Sequence, residues 1–332
     1  MRELNPQILK AFNLRSKNSK RMFGAYYCET NKGLKIVKET HLEQGKVLFV
    51  HSAKEHLIKN GFENIDRYCI SKEGLPYFEY NKNTYVIKDW IEGKECNFQN
   101  ETEIQRATKV LAEMHNASRG MKPIQDSIIS MYYGELPMKT VKNYKELIRI
   151  YKNTRNRGKW TNFDVSFLKS YKKYSEDMVE ALEVLEKCNY EKLVNDGKVD
   201  NIFCHNKYTN HNIQLDERGI MITNFDNCGY QLPVFDFQMF VEKIMSKNDW
   251  DIKIGLGLID EYCKTKPLSK DEYQLLYFLL LFPKKYWKLC NHYYNTRRCW
   301  SPKISETKLD GIIEQSGNKK DFLNTYKKQY LT

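Results

Sequence analysis

The chain has 332 residues, 41% hydrophobic and 29% charged, a balance that excludes a disordered chain and predicts a globular one. A formal net charge of +12 favours acidic partners such as nucleotides, anionic polymers or other proteins, or else reflects lysines spread over solvated faces. The first residues lack the apolar core of a secretory signal, and the most apolar run, 275–282, is too short to span a bilayer. A cytosolic protein without a transmembrane segment is therefore expected.

Taken in chain order, residues 21–30 read as a strand rich in aromatic residues, Asn31-Lys32-Gly33 as a hairpin turn, and 34–39 as the return strand. Between 44 and 60, Val47, Val50, Ala53 and Leu57 recur at the helical period, and Gly61 follows as a stop. Residues 69–91 read as three short strands punctuated by Glu73-Gly74 and by 81–83. An amphipathic helix is expected over 101–117, with Ile104, Ala107, Leu111 and Met114 on one stripe. Further helices are expected over 163–187, 234–247, 254–264 and 269–282, the last opening at Ser269 as N-cap. This sums to a two-lobed α+β fold. Residues 1–88 make a small antiparallel sheet with one packed helix, 89–93 a hinge, and 94–332 a larger, mostly helical lobe.

Nine cysteines, at 28, 69, 96, 188, 204, 228, 263, 290 and 299, include no CxxC pair, so reduced and largely buried thiols are expected. Cys204, His205, His211 and Cys228 cluster in sequence, but their spacing matches no usual zinc site. The basic stretch 139–159, with Tyr144, Tyr151 and the adjacent Trp160, suits nucleic acid in composition. No nucleic-acid module accompanies it, so a solvated face or protein-docking patch is expected and nucleic acid is not. Of the 23 tyrosines, Tyr132, Tyr133, Tyr262, Tyr286, Tyr293 and Tyr294 are candidates for surface contacts or oxidative cross-linking, while most of the rest are expected in cores.

Two segments carry the chemistry. In 204–212, CHNKYTNHN, His205-Asn206-Lys207 is followed after four residues by Asn212. In 222–228, ITNFDNC, Asn224 and Asp226 flank Phe225, and Pro233-Val234-Phe235-Asp236 comes next. This spacing resembles the H-G-D-x-x-x-x-N loop, the I-D-F-D strand end and the P-x-x-D of aminoglycoside and choline kinases. With LIKNGF, YVIKDWIEGKE, LAEMHNASRG and KPLSKDEYQLLYFLLLFPKKYWKL, the similarity over residues 20–325 is to the CotS family of spore-coat proteins in particular.

The resemblance implies a kinase-like fold with a catalytic loop at 204–212 and a metal loop at 223–228. It makes His205 and Asp236 structural braces of the loop and His115 a packing residue, while Lys38, at the end of the strand LKIVK, is a candidate for the nucleotide lysine. It puts Lys207 where the acceptor-orienting Asp belongs, and Asn224 where an Asp bridges Mg²⁺ to the phosphates. An ammonium has three donors and no acceptor. An amide is neutral, whereas Mg²⁺ is a hard cation held through carboxylates. The site is three charge units more positive, two from Lys207 and one from Asn224. No intact catalytic set remains. Lys38, Lys207, Asn212, Asn224 and Asp226 are left as candidates to line a nucleotide or anion cleft.

Asp226, two residues on from Asn224, would share its face on a continuing strand and approach metal together with Asn212. The segment 15–24 has one late glycine and no pair to close backbone amides on a triphosphate, though Lys17, Lys20 and Arg21 could draw phosphates. The expected function is a pseudokinase serving as a structural or interaction component of the spore coat, made in the mother-cell cytosol, with other coat proteins as partners. No cofactor is expected, and ATP with Mg²⁺ only if the protein is active. Two alternatives stay open. One is a phosphotransferase on a small molecule or protein using Asp226 and Asn212. The other is a non-catalytic module for an anionic small molecule or nucleotide.

Overall fold

The computed structural model describes residues 4–296 and 302–332, so Cys299 lies outside the described residues. The chain divides into two compact units, residues 1–132 with 197–236, and residues 133–196 with 237–332.

The first unit opens with α1 (Pro6–Ala11), whose first turn is capped by the Asn5 side chain accepting from the Gln7 N–H. Strands β1 (Ser16–Met22), β2 (Ala25–Thr30) and β3 (Gly33–Thr40) follow, then α2 (Gln44–Lys59), β4 (Phe78–Tyr80) and β5 (Asn83–Asp89). They build an antiparallel sheet in the order β1-β2-β3-β5-β4. Its core gathers Ile8, Leu9, Phe12, Cys28, Val37 and Ile87. Helix α2 buries Val47, Phe49, Val50, Ala53 and Leu57, its large apolar side chains each contributing about 1.5–3 kcal/mol by leaving water.

Two expectations for this region need correction. Residues 21–30 are not one strand. Met22 pairs Ala25 across a two-residue turn, Phe23-Gly24, with both φ positive at 49° and 78°. The basic stretch before the turn is the edge strand β1, where exposed lysines discourage pairing with another chain. Nor do residues 69–91 hold three strands. Only β4 and β5 form, because residues 71–75 close on themselves, with Ser71 and Leu75 bonded N–H to carbonyl and Gly74 N–H returning to Ser71.

Strand β6 (Lys94–Glu95) and helix α3 (Glu101–Ala117) continue the first unit, α3 being capped by the Asn100 side chain on the Glu103 N–H. The second unit takes up α4 (Leu136–Arg155) and α5 (Asn162–Lys187), the latter opened by a Thr161–Asp164 capping box. On α4 the buried side is Thr140, Leu147, Ile150 and Thr154. Lys139, Lys142, Lys145, Arg149, Lys152 and Arg155 are exposed, so the basic stretch is a solvated helix face. Helix α6 (Tyr190–Asp200) leads back to the first unit.

There β7 (Phe203–Cys204) pairs with the later β10 (Gly229–Tyr230), while β8 (Ile213–Asp216) and β9 (Gly219–Ile222) form a hairpin against β6. Helices α7 (Pro233–Lys247), α8 (Ile252–Thr265), α9 (Lys270–Leu281), α10 (Lys284–Asn295), α11 (Pro302–Glu314) and α12 (Ser316–Tyr330) complete the chain. Ser269 caps α9 in a capping box with Glu272, as its spacing predicts. Tyr262 and Tyr286, read as surface candidates, are buried instead, because each lies on the apolar stripe of its helix. Among the described residues no helix is long and apolar enough to cross a membrane.

Candidate functional site

The first unit brings together every residue of the two chemistry-bearing segments. Loop 205–212 follows β7 and is fixed by backbone bonds to one buried carboxylate. Asp236, in the first turn of α7, accepts from the His205 N–H at 2.6 Å and the Asn206 N–H at 2.8 Å. His205 is buried. Its Nδ1 accepts from the Lys207 N–H at 3.1 Å, so its proton sits on Nε2, which donates to the Thr223 carbonyl at 3.0 Å. Burial pushes this imidazole below the ordinary histidine value, in keeping with a neutral ring that needs one lone pair free. Asn206 has φ 59°, a left-handed conformation that asparagine adopts more readily than most residues, and its amide donates to the Asn227 carbonyl.

Lys207 is exposed, and no ion pair engages its ammonium among the described residues. Its carbonyl accepts from the Asn212 side-chain amide at 2.9 Å. The Asn212 Oδ1 in turn accepts from Asn224 Nδ2 at 3.3 Å. The two amides that the resemblance sets at metal-ligand positions are thus bonded to each other.

The expected shared face of Asn224 and Asp226 does not exist. Strand β9 ends at Ile222, Asn224 takes φ 64° and ψ 60°, and residues 225–227 turn as a 3₁₀ helix, which breaks the period of two a strand requires. This turn aims Asp226 at the sheet. Its Oδ2 lies 3.2 Å from Nζ of Lys38, which sits in β3 opposite Ala25 and Val86. Both side chains are partly solvated, so the pair contributes at most about 1 kcal/mol. Glu55 of α2 bonds Arg67.

Four further charged residues pack around these loops, and none is singled out by the motif spacing. Lys46 of α2 reaches the Cys228 carbonyl and Ser130 Oγ, and burial pulls its ammonium below the ordinary lysine value. Lys54 of α2 and Lys88 of β5 converge on Asp66, whose Oδ2 also accepts from the Asn224 N–H at 3.2 Å. Burial alone would push the Asp66 carboxyl up, but the two ammonium groups hold it down at about 2. Burial outweighs the carboxylate for Lys54, which lies below the ordinary lysine value; for Lys88 the carboxylate wins, and it lies above. A signal was present in the sequence. Lys54 follows Val47 by seven and Val50 by four residues, a charge in the middle of an apolar stripe.

The cysteine and histidine cluster seen in sequence does not assemble as one group. Cys204 donates to the Gln231 carbonyl, and His211 is exposed beside Glu95. His115, Cys204 and Asp236 do lie close together, all buried, with Asp236 already accepting two backbone N–H groups.

The sequence profile of the family described as spore coat putative kinase YutH matches residues 5–326. Spore coat protein S of Bacillus subtilis (strain 168) is 24% identical over 307 residues, covering 91% of this chain and 86% of that protein. An aminoglycoside phosphotransferase from Alicyclobacillus acidocaldarius subsp. acidocaldarius DSM 446 superposes with a TM-score of 0.88 at 16% identity, over 100% of this chain and 98% of that one. Spectinomycin phosphotransferase APH(9)-Ia, solved in complex with ADP and spectinomycin, gives a TM-score of 0.63 at 12% identity, over 95% and 97%. At these identities the solved structures establish the fold, which is that of the aminoglycoside and choline kinase-like phosphotransferases.

Proposed function

The chain belongs to the family of the spore coat putative kinase YutH, and from that premise we propose that it is a pseudokinase, a structural or interaction component of the spore coat that does not transfer phosphate. It is made in the mother cell and deposited in the coat, with other coat proteins as its partners. The observation that carries this reading is the amide pair of Asn212 and Asn224, beside an ammonium at Lys207. A phosphotransferase needs an acceptor for the attacking hydroxyl's proton and carboxylates for Mg²⁺. The first position holds only donors. At the metal positions, Asn212 Oδ1 is engaged by the neighbouring amide, and the nearby carboxylate, Asp226, is paired with Lys38. This donor set does not fit Mg²⁺. The tight Phe23-Gly24 turn likewise leaves no loop of amides to receive a triphosphate.

The test is thermal unfolding with ATP or ADP, with and without Mg²⁺, alongside a phosphoryl-transfer assay. The expected result is no Mg²⁺-dependent shift and no transfer. ATP-dependent phosphorylation by the purified protein, abolished by Asp226→Ala or Asn212→Ala, overturns the reading in favour of an enzyme. A Mg²⁺-independent shift supports a second reading, which the exposed and unpaired Lys207 ammonium favours: the loop holds an anion or nucleotide without turning it over.

A further inference from the structure

Residues 124–132 lay an apolar strip on the surface of the first unit. Ile124, Ile128, Ile129, Met131 and Tyr132 are each 46–57% exposed. A single exposed hydrophobic side chain needs no explanation, but a continuous run of them marks an interaction site.

The strip is fixed in place. The Ile128 N–H donates to the Gly45 carbonyl at 2.8 Å. The Ser130 carbonyl accepts from the Tyr230 N–H at 2.9 Å and the Tyr132 N–H donates to the Tyr230 carbonyl at 3.0 Å, which makes a parallel bridge at Met131. Two glycines make room for it. A Cβ on Gly45 would lie 2.6 Å from Ile128 Cγ1, and one on Gly229 would lie 2.6 Å from Tyr132 Cε2 and 2.8 Å from the Ser130 carbonyl oxygen.

This passage is the outermost strand of the small sheet that β7 and β10 begin. Its inward bonds come from residues 128, 130 and 132. The N–H and C=O groups of Ile129 and Met131 alternate outward and make no hydrogen bond among the described residues. The basic side chains that guard β1 have no counterpart here. Residues 127–134 read SIISMYYG, without one charged residue or proline.

Outward backbone groups on alternate residues select an extended strand, because a lipid surface would leave them unpaired. The absence of charge selects an apolar strand over an acidic or basic one. A second copy of the strip meets both demands. Antiparallel pairing about a two-fold axis at Ser130 sets Ile129 of each copy opposite Met131 of the other, and gives four hydrogen bonds from groups now unpaired. At roughly 100 Å² exposed per side chain, the five bring up to about 1,000 Å² to a pair of copies, the lower limit for a specific interface.

We propose that this chain pairs with a second copy of itself edge to edge through residues 128–132. The two small sheets join into one across the two-fold axis, and the dimer is weak and symmetric.

Sedimentation equilibrium of the full chain from about 1 to about 100 µM, at physiological and roughly threefold higher salt, tests this. A monomer–dimer equilibrium is expected within that range. Higher salt should leave it unchanged or tighten it, since a net charge of +12 on each copy opposes association. Met131→Lys is expected to weaken the dimer about tenfold or more, by setting a charge on the edge. Met131→Pro should do the same without lowering the Tm of the dilute monomer, because it removes an N–H that no bond within the chain uses. Ile304→Lys, at a side chain 55% exposed but outside the strip, should leave the dimer unchanged. A monomer throughout overturns the proposal and leaves the edge to a strand of another protein. Association lost at higher salt, a dimer unchanged by Met131→Lys, or equal weakening by Ile304→Lys overturns it too. Should Met131→Pro fold poorly, Met131→Lys decides.

Discussion

The Nζ of Lys54 lies 2.8 Å from Oδ1 of Asp66, and both side chains are only 1% exposed. The other oxygen of that carboxylate takes Lys88 and the backbone N–H of Asn224. One buried acid thus ties α2, β5 and the left-handed residue two positions before Asp226. Removing its charge strands two ammonium groups. Asp66→Asn is expected to cost about 3–5 kcal/mol, the range for breaking a buried pair from one side. Urea unfolding measures it. Lys54→Met in the same background should recover part of the loss, and strictly additive effects would show that the two groups are not coupled.

His205 gives a dependence on pH. Burial lowers its folded pKa below the unfolded value, so the unfolded chain binds the extra proton first. Stability is therefore full above the unfolded value, about 6.5, and falls as the pH drops towards the folded pKa, by at most about 1.4 kcal/mol per pH unit for one group. His51, half-buried on α2, shifts the same way and adds to the slope. Replacing His205 with Gln should flatten the decline in Tm between pH 7 and pH 5 without abolishing it. An unchanged slope would remove His205 as its source.

Phe23 occupies the first position of the Phe23-Gly24 turn with φ 49°, and its ring is 96% exposed. A bulky residue in left-handed backbone is strained by about 1–2 kcal/mol, and no packing of that ring offsets it. Two-residue turns of this hand prefer Asn-Gly. Phe23→Asn is expected to stabilise the protein by about 1 kcal/mol, read as a rise in the urea midpoint at constant slope.

The positions of Lys207 and Asn224 allow a test by charge restoration. Lys207→Asp combined with Asn224→Asp returns the three lost units of negative charge to the loop. Isothermal titration is expected to detect Mg²⁺-dependent ATP binding in the double variant and none in the unaltered chain. Turnover is not expected to return, because the tight turn between β1 and β2 still provides no phosphate cradle.

The Lys38–Asp226 contact is a weaker matter. With the side chains 42% and 27% exposed, solvent screens most of the attraction. Lys38→Ala should change stability by less than about 1 kcal/mol in a double-mutant cycle with Asp226→Ala. A larger coupling would mean that the pair holds the 3₁₀ turn in place.

Much of this protein was legible in the one-dimensional pattern. Helices announce themselves through the 3.6 period and their caps. Thus 101–117 and the Ser269 start of α9 read directly, since both depend on residues within one turn of each other. The kinase-like segments at 205–212 and 224–236 were equally readable, because their spacing is fixed along the chain. What the sequence could not determine was where side chains end up once strands stop. Asp226 looked like a neighbour of Asn224 on one face. The left-handed backbone at Asn224 redirected it to Lys38, about 190 residues away in sequence.

The burial of Lys54 beside Asp66 and Lys88 was likewise decided only by tertiary structure. Local propensity is a short-range property of backbone and cap. The charge state and solvation of a side chain depend on groups brought together from distant elements, and only packing chooses those.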